Sequence, residues 1–178
     1  MNFFKMNSFN LSSSLFFLLL FFSFLCAGNQ VLFAQTVRWI DDIAPDSLLD
    51  DSSFRICNSN EQIIQYFNDG NGVQYKGGKP SIDSLFFSSY QPVQKPESGL
   101  IRIRFVVNCK GETGRFRLLT ADLNYQPRSF SPEITTQLLN IVQSMKGWEP
   151  KRWKNTQIDY YQYIICRVDN GHLTHVLP

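Results

Sequence analysis

The chain has 178 residues, a length that suits one domain. Its formal net charge is +2, from 17 Lys+Arg against 15 Asp+Glu, which argues against a dedicated nucleic-acid binder. A hydrophobic content of 43% with 18% charged residues excludes a polytopic membrane protein and a wholly disordered chain.

Residues 1–34 contain no acidic residue and nine of the sixteen Phe. Lys5 and the terminal amine make the start positive, and the run Leu15–Leu25 (LFFLLLFFSFL) follows. Its eleven residues match the apolar stretch of a signal peptide and are short for a membrane span. The reading is a signal peptide over 1–34, cleaved after Ala34 to leave Gln35 first, and a periplasmic or secreted protein. The alternative is an uncleaved inner-membrane anchor from Leu15 to Ala34. Cys26 follows the bulky Leu25, a poor fit to lipidation. Three cysteines then remain, Cys57, Cys109 and Cys166. An odd count in an oxidising compartment points to one disulfide and one buried thiol. No two of them have metal-ligand spacing, so neither a metal site nor a cofactor is expected.

Residues 35–57 read as a loosely ordered acidic lead-in, with Asp41, Asp42, Asp46, Asp50, Asp51 and a break at Pro45. Residues 58–99 read as a helical extension packing on the domain. Asn60 caps a helix carrying Ile63, Ile64 and Phe67, which Asp69–Gly72 stops. Ser81 caps a second helix through Tyr90, with Ile82, Leu85 and Phe86 on one side. From 100 to 178 the pattern sharpens into a domain. Ile101, Ile103, Phe105 and Val107 alternate with Arg102, Arg104 and Val106, as in a half-buried strand. A turn at Asn108–Glu112 leads to a strand over Thr113–Thr120. Ser131 and Pro132 start a helix with Ile134, Leu138, Ile141, Val142 and Met145 on its apolar face, ended by Gly147. Trp148, Pro150 and Trp153 follow in a loop, with both tryptophans expected in the core. A strand over Ile158–Val168, the hairpin signal Asn170-Gly171 and a strand over His172–Leu177 complete the chain. The fold class is α+β, a small antiparallel sheet in β-β-α-β-β order packed on one helix.

The pieces IRIRFVVN, CKGE, RFRLL, a helix, GWEP and a closing strand, in this order, resemble the C-terminal domain of TonB energy transducers of the Bacteroidetes type. The resemblance covers about residues 90–168. It implies a sheet packed on one helix and a non-enzymatic protein-interaction module of the cell envelope, linked to TonB-dependent outer-membrane transport. In that family the sheet edge beside the last strand receives a short peptide from an outer-membrane transporter, by strand addition. The chain departs from the family in three ways. Its leader reads as cleavable, residues 35–99 hold only Pro45, Pro80, Pro92 and Pro96 instead of a Pro-rich spacer, and the extra tail DNGHLTHVLP follows the last strand. That tail can lay a strand on the edge, with His172, Thr174 and Val176 as the partner-edge residues. The alternative reading is a membrane-anchored TonB-type transducer.

Arg102, Arg104, Arg115 and Arg117 share one face of the first hairpin. They fit either a solvated face offset by nearby carboxylates, or an anionic-ligand face for a cell-wall polymer or lipopolysaccharide. A two-residue turn at Asn170-Gly171 pairs Cys166 with His175, the raw material of a thiol nucleophile. A small buried thiol packed against a histidine is the preferred reading, because no orienting carboxylate or oxyanion loop is evident, and no catalytic residue is assigned. His172 and His175 face opposite sides of a strand and do not chelate one metal. Tyr160, Tyr161 and Tyr163 make their strand aromatic on both faces, so residues 58–90 or a partner protein must cover one. Cys109 lies in an accessible turn and Cys57 in the weakly cored lead-in, while Cys166 points into an apolar layer. The expected disulfide is therefore Cys57–Cys109.

Overall fold

Strand β1, Gly99–Val107, runs through the centre of the sheet. Ile101, Ile103, Phe105 and Val107 are wholly buried, and their period of two puts them on one face. The computed structural model describes residues 42–65 and 73–177. β1 pairs antiparallel with β2, Thr113–Ala121, on one side and with β5, Tyr160–Asp169, on the other. β6, His172–Leu177, lies beside β5, so the four-stranded sheet has the order β2-β1-β5-β6. The turn between β5 and β6 needs left-handed backbone at both residues. Asn170 and Gly171 supply it, with φ of 48° and 77°. A Cβ on Gly171 would also lie 1.9 Å from the Val93 carbonyl oxygen.

Two helices cover the Ile103 face, the one that follows the first hairpin and the one expected in the helical extension. They are α1, Gly78–Ser89, and α2, Pro132–Ser144. Together they make the protein α+β, with a small antiparallel sheet. Pro132 begins α2, where its missing N–H would have had no helical partner. Ile134, Leu138, Ile141 and Val142 form its buried stripe. α1 adds Ile82 and Phe86 to the same core. It starts ahead of Ser81, because Gly77 at φ 80° opens the helix and Lys79 pairs with Asp83 one turn on. α2 stops at Ser144, before Gly147, because Met145 turns extended and inserts into the core at 1% exposure. Leu138 is wholly buried in this stripe. Leu138→Ala is expected to cost about 3 kcal/mol, the usual loss for a core leucine. Urea unfolding measures it, and a loss under about 1 kcal/mol would place the stripe away from the sheet.

Other expectations change. The helix expected from Asn60 is only a 3-10 turn, Asn60–Gln62, preceded by Ser59. Phe67 and the Asp69–Gly72 stop lie outside the described residues, as does the leader. After the turn, tertiary pairing overrides helical spacing at the adjacent β-branched Ile63 and Ile64. Ile63 is buried against Val106 and Tyr161. Ile64 forms a parallel bridge to Tyr160, accepting the Tyr161 N–H at 2.9 Å. The segment after Trp148 is a second small sheet, the hairpin of β3, Lys151–Trp153, and β4, Thr156–Ile158. The lead-in is not loose where it is described. Ile43, Phe54, Ile56 and Ile63 pack over Val106 and Tyr161, on the sheet face opposite the helices. The lead-in and Ile63, the latter within residues 58–90, together cover part of the second aromatic face.

Candidate functional site

The two edges of the sheet differ. The far end of β2 is closed by the chain that follows it: Ala121 bridges Pro127, and the Arg128 N–H donates to the Thr120 carbonyl at 3.3 Å. Nearer the first turn, β2 bulges where Arg104 pairs with Arg117 but Val106 with Gly114, and Arg115 takes φ 56°. β6 occupies the edge of β5. Among the described residues, only β5 makes main-chain hydrogen bonds to 172–177. The turn itself is clamped, because the Gly171 carbonyl accepts the Val93 N–H and the Tyr90 hydroxyl.

The three expected edge residues do not share a face. Val168 pairs with Leu173 but Arg167 with His175, so Thr174 is the extra residue of a bulge. Its hydroxyl donates to the Arg167 carbonyl at 3.1 Å. The bulge reverses the alternation beyond it. Val176 faces Cys166 in the core at 1% exposure, while His172, His175 and Leu177 stay exposed. It also separates Cys166 from His175, which pairs with Arg167. Cys166 is wholly buried, and burial pushes its thiol far above the ordinary cysteine range. A thiol held protonated in an apolar layer has no nucleophilic form to offer.

The arginine face is partly answered from within the chain. Arg117 makes a two-point ion pair with Asp50 of the lead-in, at 2.6 and 3.2 Å, and donates to the Ala44 carbonyl. Arg115 donates to the Asn60 side chain at 2.8 Å. The Arg102 guanidinium lies 4.3 Å from the centre of the Tyr163 ring. Burial alone would raise the Asp50 carboxyl. The Arg117 bond, the Asp46 N–H and the charges of Arg117 and Arg115 outweigh it and hold the group below the usual carboxylate range. Beside this pair opens a cleft of about 440 Å³ lined by Pro45, Asp46, Asp50, Arg55 and Arg115. Beyond the lead-in, the register aligns Leu119, Arg102, Ile165 and Leu177 across the four strands.

Cys57 and Cys109 form a disulfide, and Cys166 is free. Beside the bond lies Asp159, wholly buried. Its Oδ1 accepts the N–H groups of Cys57 and Cys109 at 3.1 and 2.9 Å, and its Oδ2 that of Asn58 at 2.8 Å. The two sulfurs and the carboxylate lie within 4.8 Å of one another, close enough to resemble a metal cluster. With the sulfurs bonded together and both oxygens accepting N–H groups, the cluster is a structural junction.

The Cys57–Cys109 bond was legible in the sequence, whereas Asp159 beside it and the β3–β4 hairpin were not. Nothing local marks Asp159, which stands alone between Ile158 and Tyr160. The hairpin had a fainter signal in Lys154-Asn155, a two-residue turn without glycine. Trp148 is buried at 4% exposure, as expected, but Trp153 is 61% exposed. No family model, curated protein or solved structure matches the chain.

Proposed function

We propose that this chain is an exported, non-enzymatic protein-interaction module of the cell envelope, similar to the C-terminal domain of TonB transducers. It receives an extended segment of its partner along the outer edge of β6. The observation that carries this reading is the contrast between the two edges: the far end of β2 is closed by its own following chain, and among the described residues β6 pairs with β5 alone. Main-chain groups left on such an edge give an incoming strand its affinity, and flanking side chains give it selectivity. The bulge at Thr174 limits the register, so the docking stretch is short and centred on His175–Leu177. Leu177, 49% exposed, offers the incoming strand an apolar neighbour.

With the β3–β4 hairpin set aside as an insertion after α2, the main-sheet strands and α2 follow one another as β1-β2-α2-β5-β6, which supports the TonB-like reading, and a disulfide supports export to an oxidising compartment. Among the described residues no helix is long and apolar enough to cross a membrane. A TonB-dependent outer-membrane transporter is the first partner to test. The experiment places a photo-crosslinking amino acid at His175 or Leu177, and as a control at the exposed Tyr125. Adducts with one envelope protein from His175 and Leu177, and none from Tyr125, are expected. Equal labelling from all three positions, or none from β6, would remove the strand-addition reading.

A further inference from the structure

The β3–β4 hairpin carries Lys151, Arg152, Trp153 and Lys154 in succession. Its two strands are three residues each, and they stand outside the main sheet. Trp153 is opposite Thr156 at the end of the ladder, next to the turn. Arg152 and Trp153 are exposed, and Lys154 occupies the turn itself. Lys154 and Asn155 have φ of 46° and 68°, the left-handed pair a two-residue hairpin demands. Asn is at ease there, but lysine is not. A cation is thus held at the tip against local backbone preference.

The root of the hairpin is built rather than loose. The Asn58 side chain donates to the Gln157 carbonyl at 3.3 Å, and the Tyr160 hydroxyl to the Glu149 carbonyl at 2.9 Å. Lys151 lies 5.2 Å from the centre of the Tyr160 ring. The ground around the root is cationic too. Lys110 and Lys146 line one cleft of about 390 Å³, and the Lys76 N–H donates to the carbonyl of Gly147, next to Lys146. Lys76, Lys110, Lys146, Arg152 and Lys154 make no ion pair with any described residue. Among the described residues, Asp51 and Glu112 line the same cleft, and Glu149 lies at the root.

An exposed indole beside Arg152 and Lys154, neither in an ion pair with any described residue, has the chemistry of a membrane interface. The ring enters the headgroup layer, while the cations meet lipid phosphates. We propose that the Lys151–Ile158 hairpin is a surface anchor for an anionic lipid bilayer, with Trp153 as its apolar tip and Arg152 and Lys154 as its phosphate contacts. The anchor is distinct from the β6 edge, since it precedes β5 and the Asn170-Gly171 turn follows that strand. A module held in this way presents β6 to partners lying in the same membrane.

The test measures partition of the protein, as the cell processes it, onto vesicles of phosphatidylglycerol with phosphatidylcholine and onto phosphatidylcholine alone. Each variant keeps the rest of the chain, so any contact the leader makes is common to all. Binding is expected only with the anionic lipid and should weaken with salt. Lys154→Asn suits the turn better, so it should keep the melting temperature or raise it while lowering partition about fivefold. Arg152→Gln should lower it about as much. Brominated lipid should quench the Trp153 emission, a signal missing from Trp153→Phe. Equal partition by parent and Lys154→Asn, equal binding to neutral vesicles, or binding of heparin with none to vesicles would each overturn the proposal.

Discussion

Asp159→Ala is expected to lower the unfolding free energy by roughly 3–5 kcal/mol. A buried charge is tolerated only where hydrogen bonds answer it. Here the answer comes from main-chain N–H groups, those of Cys57, Asn58 and Cys109. Bonds to an ionised acceptor are each worth about 1.5–3 kcal/mol, and buried donors left without one keep their desolvation penalty. The donors come from the lead-in and from the β1–β2 turn, and the acceptor stands directly before β5. Loss of the carboxylate therefore loosens three separate parts of the chain at once. Asp159→Asn is the sharper variant, because it keeps the volume but turns an NH₂ group toward N–H donors. A drop in the denaturant midpoint with an unchanged slope is expected for both. An Asn variant as stable as the parent would show that the negative charge does not organise the junction.

The parts of this fold that sequence reveals are those whose cause is local. Ile101, Ile103, Phe105 and Val107 alternate because one face of β1 is core, and Pro132 with the Ile134–Val142 stripe marks α2 within thirteen residues. Asn170-Gly171 marks its turn because few other pairs accept two left-handed conformations. What stayed hidden depends on partners far away in the chain. Asp159 finds its donors 102, 101 and 50 residues off, and Asp50 finds Arg117 at a separation of 67. Read alone, each looks like an ordinary solvated carboxylate. The Asp50–Arg117 pair also explains how the face of Arg102, Arg104, Arg115 and Arg117 is divided. The acidic lead-in answers Arg117 directly and the Asn60 side chain takes Arg115, which neither a fully solvated face nor a fully open anion site would require. The bulge at Thr174 is illegible for another reason. HLTHVL alternates equally well with or without an extra residue, and only the hydroxyl's bond to the Arg167 carbonyl marks the insertion. One residue of register is enough to move Val176 from the edge to the core and His175 away from Cys166.

Replacing both Cys57 and Cys109 by alanine is expected to cost about 4 kcal/mol. The bond ties residues 52 apart in sequence, and on the chain-entropy account it acts by restricting the unfolded chain. The N–H groups that reach Asp159 belong to the main chain of these same cysteines, so the junction keeps its donors when the sulfurs are gone. The slope of denaturant unfolding should therefore rise, because the unfolded chain expands, whereas Asp159→Ala lowers the midpoint without changing it. The double-cysteine and Asp159 changes should be less than additive, by about 1 kcal/mol. Without the bond, the 57–58 segment meets the carboxylate less firmly, and there is less for Asp159→Ala to remove. Strict additivity would mean that the sulfurs act on the unfolded chain alone, and that Asp159 holds the lead-in to the sheet without their help.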